Sequence, residues 1–108
     1  MFHHIVLMRF KRGRAEDGAQ MVKSFARRMK PISPGCVCLT FGPNTAEKHS
    51  AAYNFDGCSQ DYTHALYCSF KTARDHDNYQ KNELHLALSK KMAPAIKDVC
   101  VLDYTTRG

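Results

Sequence analysis

Tryptophan is absent, and no apolar run is long enough to cross a membrane. The first residues enter a strand-like pattern directly, with no apolar leader of the kind that directs export. A cytoplasmic address and no membrane partner are therefore expected by default. The five cysteines are an odd number and contain no CxxC pair, which argues against both a disulfide framework and a thiolate zinc site. There is no internal repeat and no low-complexity tract. Acidic side chains are the minority, 10 against 16 Lys and Arg, giving a net charge of +6. The basic residues concentrate in 9–14 and 23–30. No aromatic platform is interleaved with them, as a binder of single-stranded nucleic acid would need. They read as a solvated face, and no nucleic-acid partner is expected.

What is present is an ordinary globular composition, 44% hydrophobic over 108 residues, which fits one domain over 1–108. Residues 3–10 alternate as a strand. Residues 16–30 carry Val22, Phe25, Ala26 and Met29 at helical spacing. Gly18 weakens the first turn of that helix, and Pro31 and Pro34 end it. Residues 36–41 (CVCLTF) form a second strand in which Cys36 and Cys38 are read as buried free thiols sharing a face. A long polar connection, 43–60, is expected to be more mobile than the strands and to lie over a cavity mouth. The third strand is 62–70, helices follow at about 73–81 and 83–93, and 99–104 (VCVLDY) is the last strand.

The order is βαββαβ, a ferredoxin-like α+β arrangement. Its helices can cover one face of the sheet. Yet Val6, Met8, Leu66, Cys68, Val99 and Val101 make one face apolar, and Ile5, Leu7, Ala65, Tyr67, Cys100 and Leu102 make the other apolar as well. A half-solvated antiparallel sheet would alternate with polar residues. A second copy of the same sheet is the simplest cover, so a two-fold homodimer is expected.

The stretch from Tyr62 to His85 concentrates the chemistry. Thr72 with Asp75 three residues on suggests a helix start resembling a capping box. Tyr79 and His85 lie six residues apart. On one continuous helix that spacing would separate them by about 120°. Asn82 between them is a poor helix former, and a break there lets a phenol and an imidazole converge on the strand face that carries His64.

YTHAL, a helix with Tyr79, then His85, then VCVLDY, together with the opening HHIVLMRFK, resembles the stress-responsive dimeric α/β-barrel (Dabb) family over nearly the whole chain. Its best-known enzyme member is the plant polyketide cyclase that makes olivetolic acid. The resemblance implies a dimeric barrel and a small-molecule cavity. It also implies catalysis without a cofactor, with a histidine as general base and a tyrosine steadying the enolate oxygen. These roles fall on His85 and Tyr79. His4 and His64 match pocket histidines of the cyclase. Both begin strands that pair antiparallel, so they tend toward opposite ends and line the cavity separately. Val6, Met8, Leu66, Val99 and Val101 are expected on the cavity walls. The cyclase's bulky alkyl-pocket positions are here Val22, Lys23, Ala26 and Arg27, so the pocket has another shape, and Lys23 or Arg27 could meet an anionic substrate.

Two further points bear on these expectations. Where the family often has an HPAH-like string, this chain has NELH. Some members hold magnesium through main-chain carbonyls after the first helix, where Lys30, Ser33 and Cys36 match. Carbonyl ligation leaves no side-chain signature, so neither a metal nor a cofactor is assigned. Three functions stay open. The first is a cofactor-independent cyclase or lyase acting on a poly-β-carbonyl compound. The second is a ligand-binding or protective protein in which His85, between Leu84 and Leu86, and Tyr79 are ordinary packed residues. The third is a monooxygenase of the wider superfamily, disfavoured by the missing tryptophan and the lack of a haem-ligand arrangement. His3, His49 and His76 are read as exposed.

Overall fold

The computed structural model describes residues 1–46 and 59–107. In chain order the elements are β1 (Phe2–Phe10), α1 (Ala15–Met29), β2 (Cys36–Pro43), β3 (His64–Phe70), α2 (Ala73–Lys81), α3 (Glu83–Met92) and β4 (Ile96–Thr105). Short 3-10 turns at Lys30–Ile32 and Ala93–Ala95 follow α1 and α3, each opened by a proline whose missing N–H costs nothing there. The expected lid over 43–60 and His49 fall largely or wholly outside the described residues. None of the described helices is long and apolar enough to cross a membrane.

The four strands form one antiparallel sheet in the order β2-β3-β1-β4. This is the ferredoxin-like α+β fold. The register places His4 opposite Cys68 and Asp103, Val6 opposite Leu66 and Val101, and Met8 opposite His64 and Val99. Side chains on one face of the central strands, among them Met8, Leu66, Cys68 and Phe70, join Val22, Phe25, Met29 and Tyr79 of the helices in one buried cluster. Full burial of a side chain such as Phe70 contributes about 2–3 kcal/mol.

Among the described residues the helices leave the middle of the edge strand β4 uncovered. Val99 and Val101 lie on the helix-facing side as expected, but they are 46% and 52% exposed, so among the described residues they wall no enclosed cavity. On the opposite face Ile5, Leu7, Ala65 and Tyr67 are half-buried and Leu102 is 62% exposed. One expectation about β2 is corrected. A bulge lies between Cys36 and Cys38, which pair with the successive residues Phe70 and Ser69. Successive positions on β3 point to opposite sides, so the two thiols do not share a face, and both are only half-buried.

Two glycines are dictated by close approach. A side-chain carbon on Gly18 would enter the Phe10 ring, which explains a residue that costs the helix about 1 kcal/mol against alanine. Gly35 has φ +80° and sits against the Asp75 carboxylate. Gly35→Ala would combine left-handed strain with overlap. It is expected to lower stability by about 2–4 kcal/mol, seen as a fall in the urea midpoint at unchanged slope.

Candidate active site at the α2–α3 break

Thr72 starts α2: its Oγ1 accepts from the Asp75 N–H at 3.1 Å and donates to the Asp75 carboxylate at 3.0 Å. Asn82 ends α2 and starts α3. Its backbone is extended, with φ −60° and ψ 135°, and its N–H donates to the Tyr79 carbonyl at 3.3 Å. Its Oδ1 then accepts from the Leu84 N–H at 2.8 Å, a side-chain N-cap. One residue thus breaks the helix where the sequence suggested it would.

The break turns the two side chains toward each other. The rings of Tyr79 and His85 meet edge to face at 4.6 Å between centroids, and both also contact the Phe25 ring. Tyr79 is 3% exposed, and among the described residues its hydroxyl has no hydrogen-bond partner. Leaving a buried donor unpaired costs about 1–3 kcal/mol, so the bare hydroxyl lowers stability. Burial pushes its ionisation far above the ordinary phenol range, and the nearby Cys68 and Cys36 thiols add to this, so it remains a neutral donor at any working pH. His85 is half-buried, with Nδ1 3.3 Å from the Ser89 hydroxyl. Burial, reinforced by His4 and His76, lowers its pKa to about 4, so at neutral pH it is an uncharged acceptor.

Along the sheet from this pair lies a second polar cluster. His4 is buried, and its Nδ1 is 2.6 Å from Asp103 Oδ1. Its ring lies 4.5 Å from that of His76, and the Gln80 amide nitrogen reaches Nε2 of both, at 3.5 Å for His4 and 3.1 Å for His76. The expectation that His76 is exposed is corrected: it is half-buried and stacks on Phe2 at 4.6 Å. His76, Gln80 and Asp103 were missed as a group. The available signals were the i, i+4 spacing of His76 and Gln80 and the register that sets Asp103 opposite His4. His3 is also not free, since it is bonded to the Tyr67 hydroxyl at 2.7 Å and to Thr106 at 2.8 Å.

His64 stands apart, at the other end of β3. It stacks on Phe41 at 5.3 Å and is edge-on to Phe10, and burial together with the Lys23 charge lowers its pKa. Val22, Ala26, Met8 and Leu66 are packed in the core, and Val6 is half-buried against it. A groove of about 710 Å³ runs between α1 and β2, lined by Lys23, Ala26, Arg27, Lys30, Leu39 and Phe41 among others. Of the expected wall residues, Ala26 borders it; Tyr79 and His85 are not among its lining residues. After α1, the Lys30 and Ser33 carbonyls accept the N–H groups of Ser33 and Cys36 at 3.3 and 3.0 Å. Each keeps a second lone pair, so the turn neither demands nor fills a cation site.

Residues 2–106 match the family described as Stress Responsive A/B Barrel Domain. The chain belongs to this family. In solved structures this A/B barrel domain is similar to a protein of Arabidopsis thaliana, with a TM-score of 0.78 at 18% identity, covering 100% of this chain and 97% of that one. It is similar to the hydroxynitrile lyase of Passiflora edulis, with a TM-score of 0.76 at 22% identity over 98% and 93%. A dimeric ferredoxin-like protein of unknown function from Jannaschia sp. gives a TM-score of 0.79 at 18% identity over 97% and 98%. No curated protein matches the sequence. At these identities the structural likeness establishes the fold of the A/B barrel domain and leaves the chemistry to its own residues.

Proposed function

We propose that this A/B barrel domain is a homodimeric, cofactor-independent lyase or cyclase that moves a proton on a small β-carbonyl compound at Tyr79 and His85. The observation that carries this reading is the buried, unpartnered Tyr79 hydroxyl in ring contact with a neutral imidazole. In the first step the His85 nitrogen not facing Ser89 takes a proton from the carbon between two carbonyls. The C–H electron pair becomes an enolate, and Tyr79 donates a hydrogen bond to its oxygen. The enolate carbon then attacks a third carbonyl farther along the same molecule, forming the ring C–C bond as that C=O opens to an alkoxide, and the imidazolium returns its proton to the alkoxide. One structural relative is a hydroxynitrile lyase, which places a lyase among proteins of this fold. The cations Lys23, Arg27 and Lys30 along the α1–β2 groove favour a substrate with an acidic group.

A low pKa makes His85 ready but weakly basic, which favours a second reading. In that reading the groove binds an anionic small molecule and no turnover follows. Deuterium exchange at the central carbon of a 1,3-diketone bearing a terminal carboxylate separates the two. The lyase reading predicts protein-catalysed exchange with a rate flat from neutrality down to about pH 5 and falling as His85 protonates near its pKa of about 4. Saturable binding without exchange would leave the binding reading.

A further inference from the structure

We propose that His4, His76 and Asp103 form a site for a divalent transition-metal ion at the junction of β1, α2 and β4. One nitrogen from each imidazole and one carboxylate oxygen lie within 4.8 Å of one another. An ion with bonds of about 2.0–2.2 Å placed between the imidazoles would draw these groups closer together. The arrangement is supported from several sides. His4 sits on the central strand, is 6% exposed, and has its ring fixed by the 2.6 Å contact to Asp103. A carboxylate that orients an imidazole in this way recurs around metal-binding histidines. His76 is held by stacking between Phe2 and His4, at 4.6 and 4.5 Å.

The Gln80 amide shows where the ion would sit. With His4 Nδ1–H donating to Asp103, Nε2 of His4 carries a lone pair, and the amide N–H₂ spans the 3.5 and 3.1 Å to the Nε2 atoms of His4 and His76. Two imidazoles therefore turn lone pairs toward one point that a neutral donor now occupies. A cation taking the place of that donor would meet both imidazoles, with the Asp103 carboxylate supplying negative charge beside His4. Asp103 is exposed on the uncovered edge strand and leaves the cluster open to solvent. Ligation by two imidazole nitrogens, with Asp103 orienting His4 through its other ring nitrogen, suits zinc, cobalt, nickel or copper better than magnesium or calcium. The site adjoins the Tyr79–His85 pair, with the His76 and Tyr79 ring centroids 6.0 Å apart, but shares no residue with it and does not depend on the reaction proposed there.

The test is titration of chelator-treated full-length protein with cobalt(II), followed by visible absorption and calorimetry. One equivalent is expected to bind, with ligand-field bands of nitrogen and oxygen ligation. Asp103→Asn keeps the side-chain shape and is expected to weaken binding by about 10- to 100-fold, and His76→Ala by at least as much. Gln80→Ala removes the competing amide and is expected to bind at least as tightly as the parent. Circular dichroism of each variant establishes that it is folded. Affinity unchanged in folded Asp103→Asn and His76→Ala, an intense thiolate charge-transfer band, or a loss in Gln80→Ala equal to that in His76→Ala would overturn the assignment.

Discussion

His85→Ala is expected to lower turnover of a cyclising β-carbonyl substrate by about 10²–10⁴-fold, the share a positioned base contributes. Tyr79→Phe is expected to cost about 10²–10³-fold, mostly in kcat, because the phenol donates to charge that exists only once the proton has left. The second variant carries an opposite expectation for stability. The Tyr79 hydroxyl is buried without a partner, so its removal relieves a desolvation penalty of about 1–3 kcal/mol and should raise the melting temperature. A residue that lowers stability while aiding turnover is the mark of a functional group. A packed structural tyrosine bonded through its hydroxyl would lose stability on the same change. Parallel activity assays and thermal melts on Tyr79→Phe decide between the two.

Tyr67→Lys is expected to convert a homodimer into a monomer or an unfolded chain. Among the described residues no helix covers the face that carries Ile5, Leu7, Tyr67 and Leu102, and Leu102 is 62% exposed. A second sheet laid on this face would bury it, and a lysine there would be an unpaired charge in an apolar interface. Tyr67 also accepts or donates a 2.7 Å bond with His3, so this variant carries some cost within the protomer. Leu102→Asp is the cleaner companion, because the position is already exposed in the single chain. Light scattering at micromolar concentration is expected to give twice the chain mass for the parent and the single-chain mass for Leu102→Asp. A well-folded parent monomer would contradict the dimer.

Much of the fold was legible in the sequence because period-two and helical patterns alternate cleanly along it. The Asn82 break was legible because a poor helix former lies between two residues that a continuous helix would hold about 120° apart. The side of the sheet on which Val99 and Val101 lie was also readable from alternation. Their exposure was not, since a pattern gives the face of a strand but not whether a helix reaches an edge. The Cys36–Cys38 bulge was hidden for a related reason: one extra residue leaves the local alternation intact and shows only against the partner strand. The cluster of His4, His76, Gln80 and Asp103 joins three elements distant in the chain, and no local spacing announces it. The packed surroundings of Tyr79 and His85 depend on side-chain volumes summed over the helices and the sheet.

The central claim is that His85 is a neutral, desolvated base facing the same point as the Tyr79 hydroxyl. Folding the imidazole into this site lowers its pKa from the ordinary 6.5 to about 4. The unfolded chain therefore binds more protons between those values, and stability falls as pH drops from about 6.5 toward 4. The most direct measurement is NMR titration of the His85 ring, alone and with a non-reactive enolate mimic, an acidic phenol bearing a carboxylate. The account predicts a ring that stays neutral down to about pH 4 when free and takes up its proton at higher pH when the anion is bound beside it, with the shift lost in Tyr79→Phe. A His85 ring that titrates near 6.5 and does not respond to the mimic would contradict it.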